Sequence, residues 1–301
     1  VFKYIYNEII LNFLYNNSNL IVGPVVVALF VGVGIGGLWL VHRMVPHGER
    51  RNHNEFVGFM VAVVSVVYAV LLAFIAIAVW ESFGKAGELA TKEASLAGDV
   101  ARDALTMPEP LRTDLLVDLD AYLIRVAKVE WKAMADGKSL SEADEGKPAV
   151  EDEGWELLFS AHDNLVGFHT SDPVQVSMFA ELLTRLNSLY DARRDRLLAT
   201  EEHLQGVVWG IVLLGAFFTI GFTYLFGMES FRMHALMTSS VAATVALVVL
   251  LIIAFDYPFR GKVQISPEAF QHVHVMLHKY LKNSSSDESE NNIKAEEEAA
   301  H

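Results

Sequence analysis

Between Phe56 and Val79 the chain reads FVGFMVAVVSVVYAVLLAFIAIAV, with no charged side chain and with Ser65 and Tyr68 as its only clearly polar members. At about 1.5 Å per residue in a helix, such a run crosses a hydrocarbon core of about 30 Å with length left for tilt. Asn54 and Glu55 fence one end, and Trp80 and Glu81 the other, where an indole suits the membrane interface. A long polar stretch follows, and all of it must lie on one side of the membrane.

The composition agrees with a chain divided in this way. Mean hydropathy is +0.32 although the net charge is −14, which requires the apolar residues to be gathered in spans and the acids elsewhere. The absence of cysteine excludes disulfides and thiolate chemistry. The acidic balance argues against nucleic acid as a partner, since phosphates demand clustered Lys and Arg.

Three further spans are legible. Residues 1–19 read as an interfacial segment, and 20–80 as a first transmembrane hairpin whose first span runs from Leu20 to Val41. Because that span starts only near Leu20, no cleavable signal is expected. Gly32, Gly34 and Gly37 satisfy G-x-G-x-x-G, but the dinucleotide reading needs a soluble βαβ unit. Within an uncharged run, Gly32 and Gly36 instead form a small-residue face for close helix packing, as do Gly206 and Gly210 in the third span. Residues 206–255 form the second hairpin. In its fourth span Thr238, Ser239, Ser240 and Thr244 are read as bonding back to the helix or to a neighbour, with pore lining as an alternative.

Residues 81–205 change character: acids outnumber bases, and apolar residues recur at helical spacing. Ser82–Met107 predicts a helix with Leu89, Leu96, Val100 and Leu105 near one face, broken by Pro108 and Pro110. Leu111–Ala135 predicts another, with Leu115, Leu119, Tyr122, Val126 and Val129 inward and Asp114, Asp118 and Glu130 on the polar face. After a Gly-, Ser- and acid-rich loop, helices are expected at Glu153–Phe168 and Asp172–Gln205, the latter with Asp172 as N-cap and Pro173 first. Residues 256–282 hold a Pro-Phe motif and a helix announced by Ser266-Pro267-Glu268; residues 283–301 read as a disordered acidic tail.

No nucleophile–base pair, phosphate loop or complete metal set emerges, so neither a catalytic residue, a metal nor a cofactor is expected. His274 and His278 lie four apart without a third ligand, and the His42–Glu55 loop reads as solvated. The spans carry no acid or base at mid-depth, which weighs against a proton-coupled transporter.

Two spans, a helical insert, two spans and a Pro-Phe motif resemble the bestrophin-like membrane proteins of bacteria. The resemblance rests on Tyr68-Ala69-Val70-Leu71-Leu72-Ala73-Phe74 leading to Trp80, on Arg193-Arg194-Asp195-Arg196-Leu197, and on Asp256-Tyr257-Pro258-Phe259-Arg260-Gly261 with Ser266-Pro267-Glu268-Ala269-Phe270. More distantly, the layout is similar to bestrophins, pentameric ion channels whose second helix lines a hydrophobic neck. That resemblance implies family-motif roles for Trp80, Asp256, Pro258, Phe259 and Gly261. It also implies a pore face on the second span at Ala62, Val66, Val70 and Phe74, one helical turn apart. Arg260, Gly261 and Lys262 stand where bestrophins carry an acidic run, so their calcium activation is not implied. The Pro-rich approach to the third span is also missing, replaced by His203-Leu204-Gln205-Gly206.

The fold expected is therefore an all-α membrane protein with four transmembrane helices and a helical extramembrane domain between the second and third. Its function is read as a homo-oligomeric channel, pentameric by analogy, with the lipid bilayer and small inorganic ions as partners. A non-conducting scaffold or sensor whose helical domain binds a cytosolic partner is the alternative. Arg43, Arg50, Arg51 and Arg232 mark one side, while Lys85, Arg193, Arg260, Lys262 and others mark the opposite one. The family layout then favours a bacterial cytoplasmic membrane with the helical domain and both termini cytoplasmic.

Overall fold

The structure is a computed structural model and describes residues 12–282 apart from 18, 46–49, 52 and 144–147. The predicted interfacial segment therefore lies mostly outside the described residues, and the acidic tail wholly so. The helices are α1 (Asn12–Asn16), α2 (Asn19–Met44), α3 (Asn54–Ala104), α4 (Leu111–Arg125), a π-helical turn (Val126–Glu130), α5 (Trp131–Ala135), α6 (Asp152–Val166), α7 (Pro173–Glu201), α8 (Gly206–Thr223) and α9 (Phe231–Asp256). A last helix, α10, covers 268–282. Among the described residues there is no strand. The chain divides into two compact units, residues 1–84 with 202–263 and residues 85–201 with 264–301, and α3 contributes to both.

In the first unit α2, the first part of α3, α8 and α9 have the length and hydropathy to cross a membrane. Their cores meet along Tyr68, Leu72, Val79, Val212, Ala216, Val245, Val249 and Ile252. Tyr68 fixes the register: its ring lies over Gly215, where a Cβ would collide with it, and its hydroxyl donates to the Val212 carbonyl at 2.8 Å. Close approach elsewhere occurs at Gly34, packed on Ala242, Ile220 and Thr238, and at Gly37, under the Tyr224 ring. This differs from the expected glycine faces. A Cβ at Gly32, Gly36, Gly206 or Gly210 would meet nothing within 4 Å in the subunit. Within the subunit, Gly34, Gly37 and Gly215 set these approaches, not the i, i+4 pairs.

One end of this unit is tied by polar contacts. The buried Arg50 donates to the Tyr224 carbonyl at 3.0 Å and lies 3.1 Å from His42 Nδ1. Asn54 and Gly227 exchange two hydrogen bonds, of 2.7 and 3.2 Å. The arginine of the loop read as solvated is thus a fastening between span ends. Hydroxyls of the fourth span behave as the first reading expected. Ser240 and Thr244 donate to carbonyls of the preceding turn, and Thr238 meets Thr223 at 3.1 Å.

The second unit is a helical assembly built on α3, α4, α6, α7 and α10. Here α3 turns inward a stripe of alanines: Ala86, Ala90, Ala94, Ala97, Ala101 and Ala104 are all buried, with Val100. Leu89, Leu96 and Leu105, expected to face the core, are only half-buried, because small residues take the position of closest approach. The predicted helix 111–135 is interrupted by the π turn. Its extra residue per turn rotates the following side chains, so Val129 is 39% exposed while Glu130 is fully buried. Glu130 is therefore not on a polar face, and the reason is this change of helical phase. At α7, Asp172 Oδ1 accepts from the Val174 N–H at 3.0 Å, the cap expected before Pro173.

Candidate functional site

On α3, Tyr68, Leu72 and Val79 face the other spans, and the 100° step of a helix places Ala62, Val66, Val70 and Phe74 on the opposite side. All four are exposed in the subunit, Val66 to 63%, Val70 to 50% and Phe74 to 69%. Phe59 and Ile77 extend the same outward face, which stays uncharged until Glu81. The subunit packs against one side of this helix only and leaves the outward face to what lies beyond it, whether lipid, other copies of the chain or a pathway between copies.

At the end of α9 the Asp256-Tyr257-Pro258-Phe259 motif is a junction. Asp256 is buried, accepts from the Leu204 N–H at 2.7 Å and from Trp209 Nε1 at 3.2 Å. Gln205, which caps α8, offers no side-chain bond, so the Asp256 carboxylate supplies the anion that the positive N-terminus of α8 favours. Phe255, one residue earlier, packs edge-on against Trp80 at 5.0 Å and Phe83 at 5.1 Å, fixing the end of the α3 span. Gly261 has φ +90° and its Cα carries no room for a side chain beside Tyr15, which explains a glycine there.

The arginines of Arg193-Arg194-Asp195-Arg196 do something the sequence reading missed. Arg193, Arg196, Glu93 and Glu130 are all wholly buried within the second unit. Arg196 donates to Glu93 through Nε at 2.5 Å and to Glu130 through Nη2 at 2.6 Å. Arg193 Nη2 donates to Glu130 at 2.7 Å and to the Glu151 carbonyl at 2.9 Å, and the Tyr122 hydroxyl donates to Glu93. Two positive and two negative groups close the network, and aromatic faces cover it: Trp155 and Tyr122 lie against Arg193, Trp131 and Phe270 against Arg196. Burial opposes the charge on Glu130, yet Arg196 and Arg193 outweigh it and hold its carboxyl below the ordinary range. Burial, together with the neighbouring Glu93, pushes the Tyr122 phenol well above its usual value and keeps it a donor. Arg193 and Arg196 are thus neutralised internally and present no charged surface to solvent. Arg194 alone of the three arginines is exposed, paired with Asp191 at 3.1 Å.

The signal for this network was present in the spacing. Leu182, Leu186, Leu189, Arg193 and Arg196 follow one another at three and four, so the arginines occupy core positions of α7. The histidines of α10 find a third group in Asp120, which lies 2.7 Å from His274 Nδ1 and 3.8 Å from His278 Nδ1. Among the described residues no set of three side chains is arranged to hold a metal.

A family model described as Bestrophin-like domain matches residues 28–270. Two solved structures share the fold, each at 12% identity and TM-score 0.59. One is a crystal structure of a point variant of a membrane protein, covering 85% of this chain and 98% of its own. The other is a point variant of a bacterial bestrophin homolog from Klebsiella pneumoniae, covering 88% of this chain and 99% of its own. No curated protein matches the chain. At such identity the structural likeness speaks to the fold alone.

Proposed function

The chain belongs to the bestrophin-like family, and from that premise we propose that this integral membrane protein is a homo-oligomeric ion channel, pentameric by analogy with bestrophins. Around its axis α3 places Ala62, Val66, Val70 and Phe74 in successive apolar rings. Small ions pass down their gradient, and the rings gate by wetting and dewetting. Both termini and the helical unit are cytoplasmic, in a bacterial cytoplasmic membrane.

The observation that carries this reading is the outward face of α3. It is apolar over its length, opposite the side that packs in the subunit, and free of acids and bases at mid-depth. The last property disfavours proton-coupled transport, which needs ionisable groups within the span. No catalytic role is assigned to the buried Glu93, Glu130, Arg193 and Arg196, which have no exposed surface on which to meet a substrate. Their part is to hold the helical unit in one arrangement.

The test is conduction by the purified protein in planar bilayers. Val70→Ala and Phe74→Ala widen the neck and are expected to raise conductance or opening. Robust insertion without current, from a protein that is monomeric or dimeric in nanodiscs, would instead identify a membrane-anchored scaffold or sensor.

A further inference from the structure

The outward face of α3 ends at a charge. Measured from Val70 at about 100° per residue, Phe74 lies about 40° round the helix and Glu81 about 20°, between the two. Tyr68, Leu72 and Val79, which pack inside the subunit, lie about 160–200° round on the other side. Glu81 is exposed, as Phe74 and Ile77 before it are. Because α3 runs unbroken from Asn54 to Ala104 and contains no proline, this alignment carries through the end of the span. Glu81 therefore stands about 10 Å beyond Phe74 along the helix axis and on the same line. It is the first charged residue after Glu55. The next, Lys85, is about 6 Å further along and about 40° round from Glu81.

We propose that Glu81 sets the ion sign of the pathway, one carboxylate from each copy forming a ring just past the apolar neck that favours small monovalent cations over anions. The inference rests on the channel reading above and adds to it a sign and a residue. Helical geometry ties the two: any assembly that turns Val70 and Phe74 to its axis turns Glu81 there as well. The apolar rings hold no charge with which to tell cation from anion, so the first charge beyond them makes the distinction. Low-dielectric walls focus its field along the pathway. In water, one unit charge about 8 Å from a monovalent ion changes the local concentration of that ion roughly twofold. Several copies act together, raising cations and lowering anions, so the cation-to-anion ratio moves by about tenfold or more.

The test is the reversal potential of the purified full chain in planar bilayers under a potassium chloride gradient. The parent is expected to prefer potassium. Glu81→Gln should lower the potassium-to-chloride permeability ratio about tenfold or more, and Glu81→Lys should turn the preference to chloride. Glu81→Asp keeps the charge and should keep the parent's preference, which a merely structural role for the side chain would not predict. The difference between parent and Glu81→Gln should shrink from about 10 mM salt, where the screening length is about 30 Å, to about 1 M, where it is about 3 Å. Thermal unfolding checks that each variant is folded; should Glu81→Lys not fold, Glu81→Gln decides alone. A parent that conducts while Glu81→Gln leaves its permeability ratio unchanged overturns this inference and leaves the channel reading standing. A parent that prefers chloride also overturns it. Absence of current from the parent and every variant removes the channel reading, and this inference with it.

Discussion

Replacing Arg196 with methionine should unbalance the buried network of the helical unit while leaving its packing nearly intact. Methionine preserves most of the stem that lies between Trp131 and Phe270. It removes two donors to Glu93, at 2.5 and 3.2 Å, and one to Glu130, at 2.6 Å. Glu130 keeps Arg193, but Glu93 is left with the Tyr122 hydroxyl and with Arg193 at 3.9 Å, an excess negative charge at full burial. Removing one partner of a buried pair costs about 3–5 kcal/mol, because the other charge stays behind in a poor solvent for it. At about 2–4 °C per kcal/mol for a unit of this size, thermal unfolding should fall by roughly 6–20 °C. Adding Glu93→Gln restores charge balance around the remaining Glu130–Arg193 pair, and the amide oxygen can still accept from Tyr122. The double variant should therefore recover about 1–3 kcal/mol of the loss. The assay is thermal unfolding of the detergent-purified protein, followed by tryptophan fluorescence and circular dichroism. An Arg196→Met protein within about 1 kcal/mol of the parent, or a double variant worse than the single one, would refute the coupling argued here.

The same network sets an acid limit. Glu130 titrates below its ordinary value in the folded chain, so its contribution is complete above the unfolded carboxyl value of about 4.3 and is lost as pH falls through the folded one. Circular dichroism should report acid unfolding below that range, and Arg196→Met should move its midpoint upward. Gly154→Ala places a Cβ 2.7 Å from Glu130 Oε1 and against the Arg193 guanidinium, where wholly buried charged groups have nowhere to move. Overpacking of this kind should cost about 1–3 kcal/mol in the same thermal assay, and an unchanged stability would contradict the observed crowding. Asp256→Asn can accept from the Leu204 N–H or from Trp209 but offers its amide N–H groups to the other. A loss of about 1–3 kcal/mol is expected, read by thermal unfolding together with a change in tryptophan emission.

How far the sequence speaks for itself depends on the kind of force involved. Spans are legible because lipid imposes a length and an absence of charge, and Phe56–Val79 could hardly be anything else. Their faces are less so. The Gly32/Gly36 and Gly206/Gly210 pairs satisfy a helix-packing spacing, yet the close approaches occur at Gly37 under Tyr224 and Gly215 under Tyr68. A glycine matters where a particular ring comes to rest on it, and that partner is far away in sequence. The polar core hid for a related reason. Glu93 looks like one more acid of an acidic helix until it is seen on the alanine stripe of α3. Glu130 was assigned to a solvated face because a π turn cannot be foreseen from α-helical periodicity. Only Arg193 and Arg196 carried a readable sign, as charged members of an otherwise leucine-lined face.

The central claim, that α3 lines an ion pathway, is open to a direct measurement because the chain contains no cysteine. Single cysteines at Val70, Phe74 and, as a reference, at the outward-facing Leu213 of α8 can be tested in planar bilayers with a charged thiol reagent applied during recording. The account predicts a lasting fall in current for Val70→Cys and Phe74→Cys and none for Leu213→Cys. Current that is indifferent to the reagent at both α3 positions, or blocked only through Leu213, would contradict it.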